Sequence, residues 1–305
     1  MLRRLRRSQK SALGLMLQRS CRFYCDDPSF IPQYDKLVQR FKDSHIPDPE
    51  SSAKWIALSA QSDPSLLETL VQCRLSRMPL QYIIKEWPFR GLNLQMRPPV
   101  FIPRPETEKI IDLAIAFNPK SVLEIGCGSG AIAIGLLSEC PSIQRCVAVD
   151  RSKMAVDLTK DNAKRLLGNQ NQSKLEVLCN PINSGGTFEY PIEGPFDLVI
   201  SNPPYILRKD LHNVEPEIGL YEDLRALDGG PDGLDVIKSI FSWISQEGVL
   251  NSDSSRLILE VDPCHPSIVI PKYLEDSPGI PISTESIHTD YLERERFVII
   301  KKKFI

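Results

Sequence analysis

The residues best suited to chemistry in this 305-residue chain are Ser201-Asn202-Pro203-Pro204-Tyr205. They follow Phe196-Asp197-Leu198-Val199-Ile200, an apolar run of strand length. Two consecutive prolines remove two backbone donors and fix φ twice, so the strand cannot continue. Each proline also holds the residue before it extended. The result is a stiff, non-helical bend at the carboxyl end of a strand, where open α/β sheets bind ligands. The Asn202 side-chain oxygen and the Pro203 carbonyl are both acceptors. Together they suit the NH2 of a planar substrate, with Tyr205 stacking on its face. A plain strand-ending turn would use the same Asn-Pro signal.

A second constellation lies upstream. Val122–Ile125 reads as a strand and runs into Glu124-Ile125-Gly126-Cys127-Gly128-Ser129-Gly130. The glycines allow a tight turn and close approach of a ligand to the backbone. Their spacing is G-x-G-x-G, not the G-x-G-x-x-G that cradles a pyrophosphate. Glu124 puts a carboxylate beside this loop, which is wrong for a pyrophosphate and right for an amino-acid ammonium. Asp150 ends the next strand, 24 residues after Gly126, where an acid can take both ribose hydroxyls. A ligand with an amino acid and a ribose but no bridging phosphate is expected, and S-adenosylmethionine fits. An ordinary tight turn explains any single glycine, and a helix cap explains Asp150; neither explains the ordered set. Cys127 reads as a small loop residue, not a nucleophile.

These residues need elements to hold them. From Ser121 the chain alternates strand and helix, which argues for a parallel sheet. The expected order is strand 122–125, helix 131–137, strand 146–149, helix 154–167 closed by Gly168, strand 175–179 and strand 196–200. Helix 234–244, strand 257–261, helix 268–274 and a late strand 297–300, pairing antiparallel at an edge, follow. Upstream, Tyr34 to Arg77 carries apolar residues at helical spacing and reads as three or four short helices. Asp63 or Ser62 would cap the helix that starts at Pro64. Between the two regions, Pro88–Leu94 and Val100–Ile102 read as the strands of a hairpin. Pro103-Arg104-Pro105-Glu106-Thr107-Glu108 then leads into a helix, with Arg104 held stiffly between two prolines.

Composition narrows the class. Hydrophobic content of 42% and charged content of 25% are ordinary globular values. Seven of the 37 basic residues and none of the 39 acidic ones fall within the first 25 positions, so the remainder carries −9. A domain that acidic is a poor non-specific nucleic-acid binder. The basic, acid-free stretch 1–25 reads as a mitochondrial transit peptide, not a secretory signal, because Leu13–Leu17 is too short an apolar core. Eight cysteines without a CxxC pair or zinc-ligand spacing imply reduced thiols and no metal site. No apolar run reaches transmembrane length.

The chain resembles the HemK/PrmC family of protein-(glutamine-N5) methyltransferases, which modify peptide-chain release factors. The resemblance rests on Pro79–Ile83, Phe89–Leu92, Phe101–Glu108, Glu124–Gly130, Asp150, Asn202–Tyr205, Pro216-Glu217 and Ala226–Leu234. It covers roughly Met78 to the C-terminus. It implies an α/β, Rossmann-like class I S-adenosylmethionine-dependent methyltransferase sheet with a small N-terminal helical domain. The implied division is a transit peptide 1–25, a helical substrate-binding domain 26–85, a hairpin linker 86–103 and a methyltransferase domain 104–305. Cofactor binding would fall to Glu124, Ile125, Gly126, Cys127, Gly128, Gly130, Asp150, Asn180 and Asn202. Substrate binding would fall to Phe101, Arg104, Asn202, Pro203, Pro204 and Tyr205, with Asn202, Pro203 and Tyr205 catalytic. Where the family has an acidic residue after the third strand, this chain has Asn180 followed by Pro181. With the presequence, the implied partner is a mitochondrial release factor in the matrix, with no direct nucleic-acid or membrane contact. Two alternatives use the same residues: an adenine-N6 methyltransferase of nucleic acid, and a non-catalytic binding factor that keeps the shell.

Overall fold

The computed structural model describes residues 33–303, so the transit-peptide expectation lies outside the described residues. The chain divides into two compact units. The first takes the chain up to Pro99 together with a detached piece, Glu215–Glu222; the second takes Val100–Val214 and Asp223 onward.

The first unit is built on four helices: α1 (Tyr34–Asp43), α2 (Pro49–Ser59), α3 (Pro64–Leu75) and α4 (Leu80–Ile84). Leu37, Val38, Phe41, Ala53, Ile56, Val71 and Ile83 form their common core. Asp63 caps α3, its side chain accepting from the Ser65 and Leu66 amides, with Pro64 in the first turn where no donor is needed. A two-stranded antiparallel hairpin follows, β1 (Glu86–Phe89) with β2 (Leu92–Gln95). Arg90 and Gly91 turn it, both at positive φ. The expected hairpin partner, Val100–Ile102, is not a strand. Two residues suffice to reverse the chain at Arg90-Gly91, and Pro98-Pro99 supplies no donors to a ladder. The detached piece carries the helical turn Pro216–Tyr221. It is tied down by Glu217, which is buried and takes Arg74 Nη1 at 3.1 Å and Arg77 Nη2 at 2.9 Å.

The second unit is a seven-stranded sheet with order β5-β4-β3-β6-β7-β9-β8. Its strands are β3 (Ser121–Ile125), β4 (Arg145–Asp150), β5 (Leu175–Cys179), β6 (Leu198–Ser201), β7 (Arg256–Glu260), β8 (Ile282–Thr289) and β9 (Glu295–Lys302). The first five pair in parallel. Their helices are α5 (Glu108–Ile115), α6 (Ala131–Glu139), α7 (Lys153–Leu166), α8 (Asp235–Ile244) and α9 (Ile270–Asp276). A parallel sheet covered on both faces wants continuous apolar strands. Val122, Leu123, Cys146, Val147, Ala148, Leu198, Val199, Ile200, Leu257, Ile258 and Leu259 accordingly have 0% exposure. Gly135 of α6 lets the helix sit against Ile111 of α5, since an added Cβ would lie 2.5 Å from Ile111 Cδ1.

The late strand departs from expectation. β9 pairs antiparallel with β7 on one side and with β8 on the other, so it is interior and β8 is the edge. Gly168 also differs: its φ is −66°, and it opens the short helix Asn169–Gln172 instead of ending α7 in a left-handed cap. Strand order reverses at β3, whose chain neighbour β4 lies on one side while β6 lies on the other. The carboxyl ends of β3 and β6 therefore frame a switch-point crevice, the usual ligand position in such sheets.

Candidate active site at the switch point

Four polar residues break the apolar pattern at the carboxyl ends of adjacent strands: Asp150 on β4, Glu124 on β3, Ser201 on β6 and Glu260 on β7. Glu124 is 1% exposed. Its Oε2 accepts from the Ala133 amide of α6 at 2.9 Å, and it forms no ion pair among the described residues. Burial, aided by the nearby Asp150 charge, holds its carboxyl well above the usual carboxylate range. A cation brought beside it would favour the ionised form that burial alone disfavours.

The loop between β3 and α6 turns on three glycines at positive φ: Gly126 at 82°, Gly128 at 55° and Gly130 at 84°. The Gly126 and Cys127 amides donate to the Val149 carbonyl of β4, which draws the loop across the strand ends. Asp150 holds it from the other side, accepting from Gly128 N at 2.9 Å and Ser152 N at 2.8 Å. A carboxylate has about four acceptor positions, so two remain for hydroxyls. Burial raises the Asp150 pKa in spite of these bonds. At Gly128 an added Cβ would meet nothing within 4 Å, so the loop faces open space there. Cys127 is 3% exposed, and burial pushes its thiol far up, with the Asp150 and Glu124 charges adding to the rise. Burial of this kind disfavours the thiolate, the nucleophilic form. Ile125 is buried beneath the loop, its carbonyl accepting from Ser201 Oγ at 2.7 Å, which fastens β3 to β6.

Asn180 is 2% exposed and its carboxamide is engaged elsewhere: Nδ2 donates to the Tyr190 carbonyl and Oδ1 accepts from the Tyr190 amide. It pins the loop that follows β5.

The Asn-Pro-Pro-Tyr bend leaves β6 beside the glycine loop. An added Cβ on Gly126 would lie 3.9 Å from the Asn202 carbonyl oxygen. Asn202 Nδ2 donates to Thr107 Oγ1 at 3.3 Å, and the Pro203 carbonyl accepts no hydrogen bond among the described residues. Tyr205 is held in place by Arg296. Its hydroxyl takes Arg296 Nη2 at 2.6 Å, and the Arg296 guanidinium lies 5.1 Å from its ring centroid. Burial, and next the Glu260 charge, raise its pKa. Gly229 and Gly233 press on the Tyr205 backbone from behind, where an added Cβ would lie 2.7 Å from Tyr205 Cα or 2.6 Å from its carbonyl oxygen. Arg104 lies 4.8 Å over the Phe101 ring. Glu106 takes the Tyr291 hydroxyl at 3.2 Å and Arg294 Nη2 at 3.2 Å, so its partners lie in the same unit.

Thr107, Glu260 and Arg296 join this site without having been expected there. Glu260 could have been found by the signal that marks Glu124, a charged residue ending an otherwise apolar parallel strand. Arg296 gives no such signal, because Glu293-Arg294-Glu295-Arg296 reads as an exposed charged turn. The donor set fits S-adenosylmethionine: an unpaired buried carboxylate for its ammonium, a half-satisfied one for its ribose diol, and a glycine edge open to its chain. Among the described residues no group of three or more His, Cys, Asp or Glu is placed to hold a metal.

The chain is similar to known proteins. A family model described as the Methyltransferase small domain matches residues 110–217. The human MTRF1L release factor glutamine methyltransferase is 37% identical over 292 residues, covering 86% of this chain and 84% of that protein. Release factor glutamine methyltransferases of Geobacter sulfurreducens and Fusobacterium nucleatum are 40% and 28% identical, covering 56% and 88% of this chain and 57% and 78% of theirs. With that identity sustained across the great majority of both the human chain and this one, the chain belongs to the release factor glutamine methyltransferase family.

Proposed function

We propose that the protein transfers a methyl group from S-adenosylmethionine to the side-chain amide nitrogen of the glutamine in the Gly-Gly-Gln motif of a mitochondrial release factor. The observation that carries this is the pairing at one crevice of a cation-seeking carboxylate, Glu124, with two acceptors for an NH2 group, Asn202 and Pro203. Bound there, the donor supplies a methyl made electrophilic by its sulfonium. Glu124 takes the donor's ammonium, and Asp150 takes hydroxyls while it holds Gly128. Asn202 Oδ1 and the Pro203 carbonyl accept from the substrate NH2. A glutamine amide nitrogen is a weak nucleophile because its lone pair is delocalised. Fixing it in line replaces an entropic cost of several kcal/mol. The same two acceptors stabilise positive charge as it develops on that nitrogen. The C–S bond breaks as the N–C bond forms, S-adenosylhomocysteine leaves as a neutral thioether, and the methylated nitrogen then gives one proton to water, so no general base is needed while the amide is still gaining charge. Phe101, Arg104 and Pro204 line the approach, and Tyr205 is held by Arg296 as a fixed wall.

The helical unit is the substrate-binding domain in this reading. Residues 1–25 direct the chain to the mitochondrial matrix, on the strength of seven basic and no acidic residues. No described helix is long and apolar enough to cross a membrane.

The test is to incubate the protein with labelled donor and a release-factor fragment containing Gly-Gly-Gln, beside an adenine-containing oligonucleotide, and to map the methyl by mass spectrometry. Methyl on the glutamine amide is expected; methyl on adenine alone overturns the reading. Asn202→Ala should lower kcat by about 10²-fold or more with donor affinity nearly intact. Asn202→Asp loses the NH2 and adds charge, and should be nearly as slow.

A further inference from the structure

The inner face of α7 is not wholly apolar. Ala155, Val156, Leu158 and Ala163 are buried there, and so are Thr159 and Asn162, both at 0% exposure. A buried polar side chain needs a hydrogen-bond partner, and a valine or leucine would pack there without one. Both residues find a partner in the glycine loop. Thr159 Oγ1 donates to the Gly128 carbonyl at 3.0 Å, and Asn162 Nδ2 donates to the Ser129 carbonyl at 3.0 Å. The Cys127 sulfur lies 3.5 Å from the same threonine hydroxyl, but a carbonyl is the stronger acceptor.

Thr159 and Asn162 are three residues apart, so they share one side of the helix and meet two successive carbonyls. Each bond fixes one peptide plane. With the Gly128 carbonyl turned to α7, the Ser129 amide of the same trans peptide unit points away from the helix. The Gly128 amide goes to Asp150 Oδ2 at 2.9 Å, and the Gly130 amide closes the turn on the Cys127 carbonyl at 2.7 Å. The loop is thus gripped by α7 and by Asp150, while an added Cβ on Gly128 meets nothing within 4 Å.

We propose that Thr159 and Asn162 are positioning residues for the methyl donor, which hold the glycine loop in its binding shape before the donor arrives. This rests on the reading of the crevice as the S-adenosylmethionine site. At 0% exposure neither side chain touches the donor; both act through the loop, and Thr159 acts through Gly128 on Asp150. Glycine loses more conformational freedom on ordering than any other residue, so a loop with three glycines that ordered only on binding would subtract from affinity. Hydrogen bonds already made without the donor remove that cost. The inference also explains why α7 buries two polar residues where apolar ones would pack as well.

The experiment uses the full chain with Thr159→Val, Thr159→Ser, Asn162→Leu and Leu158→Ala. Valine keeps the shape of threonine and loses the donated hydrogen bond; serine keeps it. Asn162→Leu removes the second bond. Leu158 is also 0% exposed and packs with Val100 and Ala155, so Leu158→Ala weakens α7 while leaving both loop hydrogen bonds in place. Calorimetry with S-adenosylmethionine should show Kd raised about tenfold in Thr159→Val and Asn162→Leu, and within about threefold of wild type in Thr159→Ser and Leu158→Ala. Hydrogen exchange over residues 124–131 of the donor-free protein should speed up in Thr159→Val and stay near wild type in Thr159→Ser and Leu158→Ala. A wild-type Kd in Thr159→Val, a Thr159→Ser as weak as Thr159→Val, or loop exchange unchanged in Thr159→Val would each overturn the proposal. So would a Leu158→Ala that loses as much donor affinity as Thr159→Val at the same loss of Tm, since both residues would then serve packing alone. A wild-type protein that binds no S-adenosylmethionine would sink the donor-site reading, and the exchange over 124–131 would still decide whether the two residues hold the loop.

Discussion

Glu124 is the residue whose physics is most exposed to test. Burial first, and the Asp150 charge second, raise its pKa above the 4.5 of a free glutamate. The folded protein therefore keeps this proton after the unfolded chain has lost it. Its contribution to stability is present below 4.5 and is lost as pH rises from there through the folded-state value. A bound ammonium reverses the preference by favouring the ionised carboxylate, so donor binding should expel a proton within that window. Calorimetry in buffers of different ionisation enthalpy measures this release directly. Glu124→Gln should abolish the buffer dependence and weaken the donor by about tenfold or more, from the loss of a charge-assisted hydrogen bond. A wild-type enthalpy that is independent of buffer would remove Glu124 from the ammonium site. Glu124, Asp150 and Asn202 were legible in the sequence because each interrupts an apolar strand or follows it at a fixed offset. Thr107 and Arg296 were not, because what they do depends on neighbours 95 and 91 residues away in sequence.

The glycine loop shows how an element separates stability from binding. Gly128 and Gly130 both sit at positive φ, where any other residue costs about 1–2 kcal/mol. Their surroundings differ. A methyl on Gly130 would lie 2.9 Å from Ile134 Cδ1 and from Thr159 Cγ2, whereas one on Gly128 meets nothing within 4 Å. Gly130→Ala should lower Tm by roughly 5 °C or more, since the clash adds to the backbone strain. Gly128→Ala should lower it less and weaken the donor more, because its methyl points into the open side of the loop. Thermal melts with and without donor separate the two. An equal loss of donor affinity in both variants would contradict the assignment of the open side. At the same scale the parallel strands were legible from their unbroken apolar runs. The edge strand β8 was not: only Ile282 of its eight residues is buried, and Ser283, Thr284, Glu285, Ser286 and His288 carry no periodic signal. Without β8 in view, β9 reads as an edge instead of an interior strand.

Over the whole molecule, the helical unit is completed by a piece of chain that arrives from far downstream. Arg74 is 4% exposed and bonds to Ser52 Oγ, the Met78 and Pro47 carbonyls and Glu217. Burial lowers its pKa, and the Glu217 charge opposes that. Removing one member of such a pair strands the other in a dry site. Glu217→Ala should destabilise the helical unit by about 3–5 kcal/mol. Donor affinity should hold, since Glu124, Asp150 and the glycine loop all belong to the other unit. Hydrogen exchange at Pro216–Tyr221 and α3, beside calorimetry with the donor, gives both readings. Protection unchanged in α3 would show that the clamp carries no stability. A two-unit organisation was legible from the switch from helical spacing to strand–helix alternation. The detour of Glu215–Glu222 was not, because it depends on a pairing 143 residues apart in sequence.

That detour sets an order on synthesis. Arg74 leaves the ribosome 143 residues ahead of its carboxylate. At about 5–20 residues per second the wait is roughly 7–30 s, far longer than a small helical bundle needs to collapse. Throughout that interval the nascent helices hold a guanidinium that lacks its counter-charge. The Arg74–Glu217 pair can therefore form only after that interval, although Arg74 lies in the part of the chain that is made first.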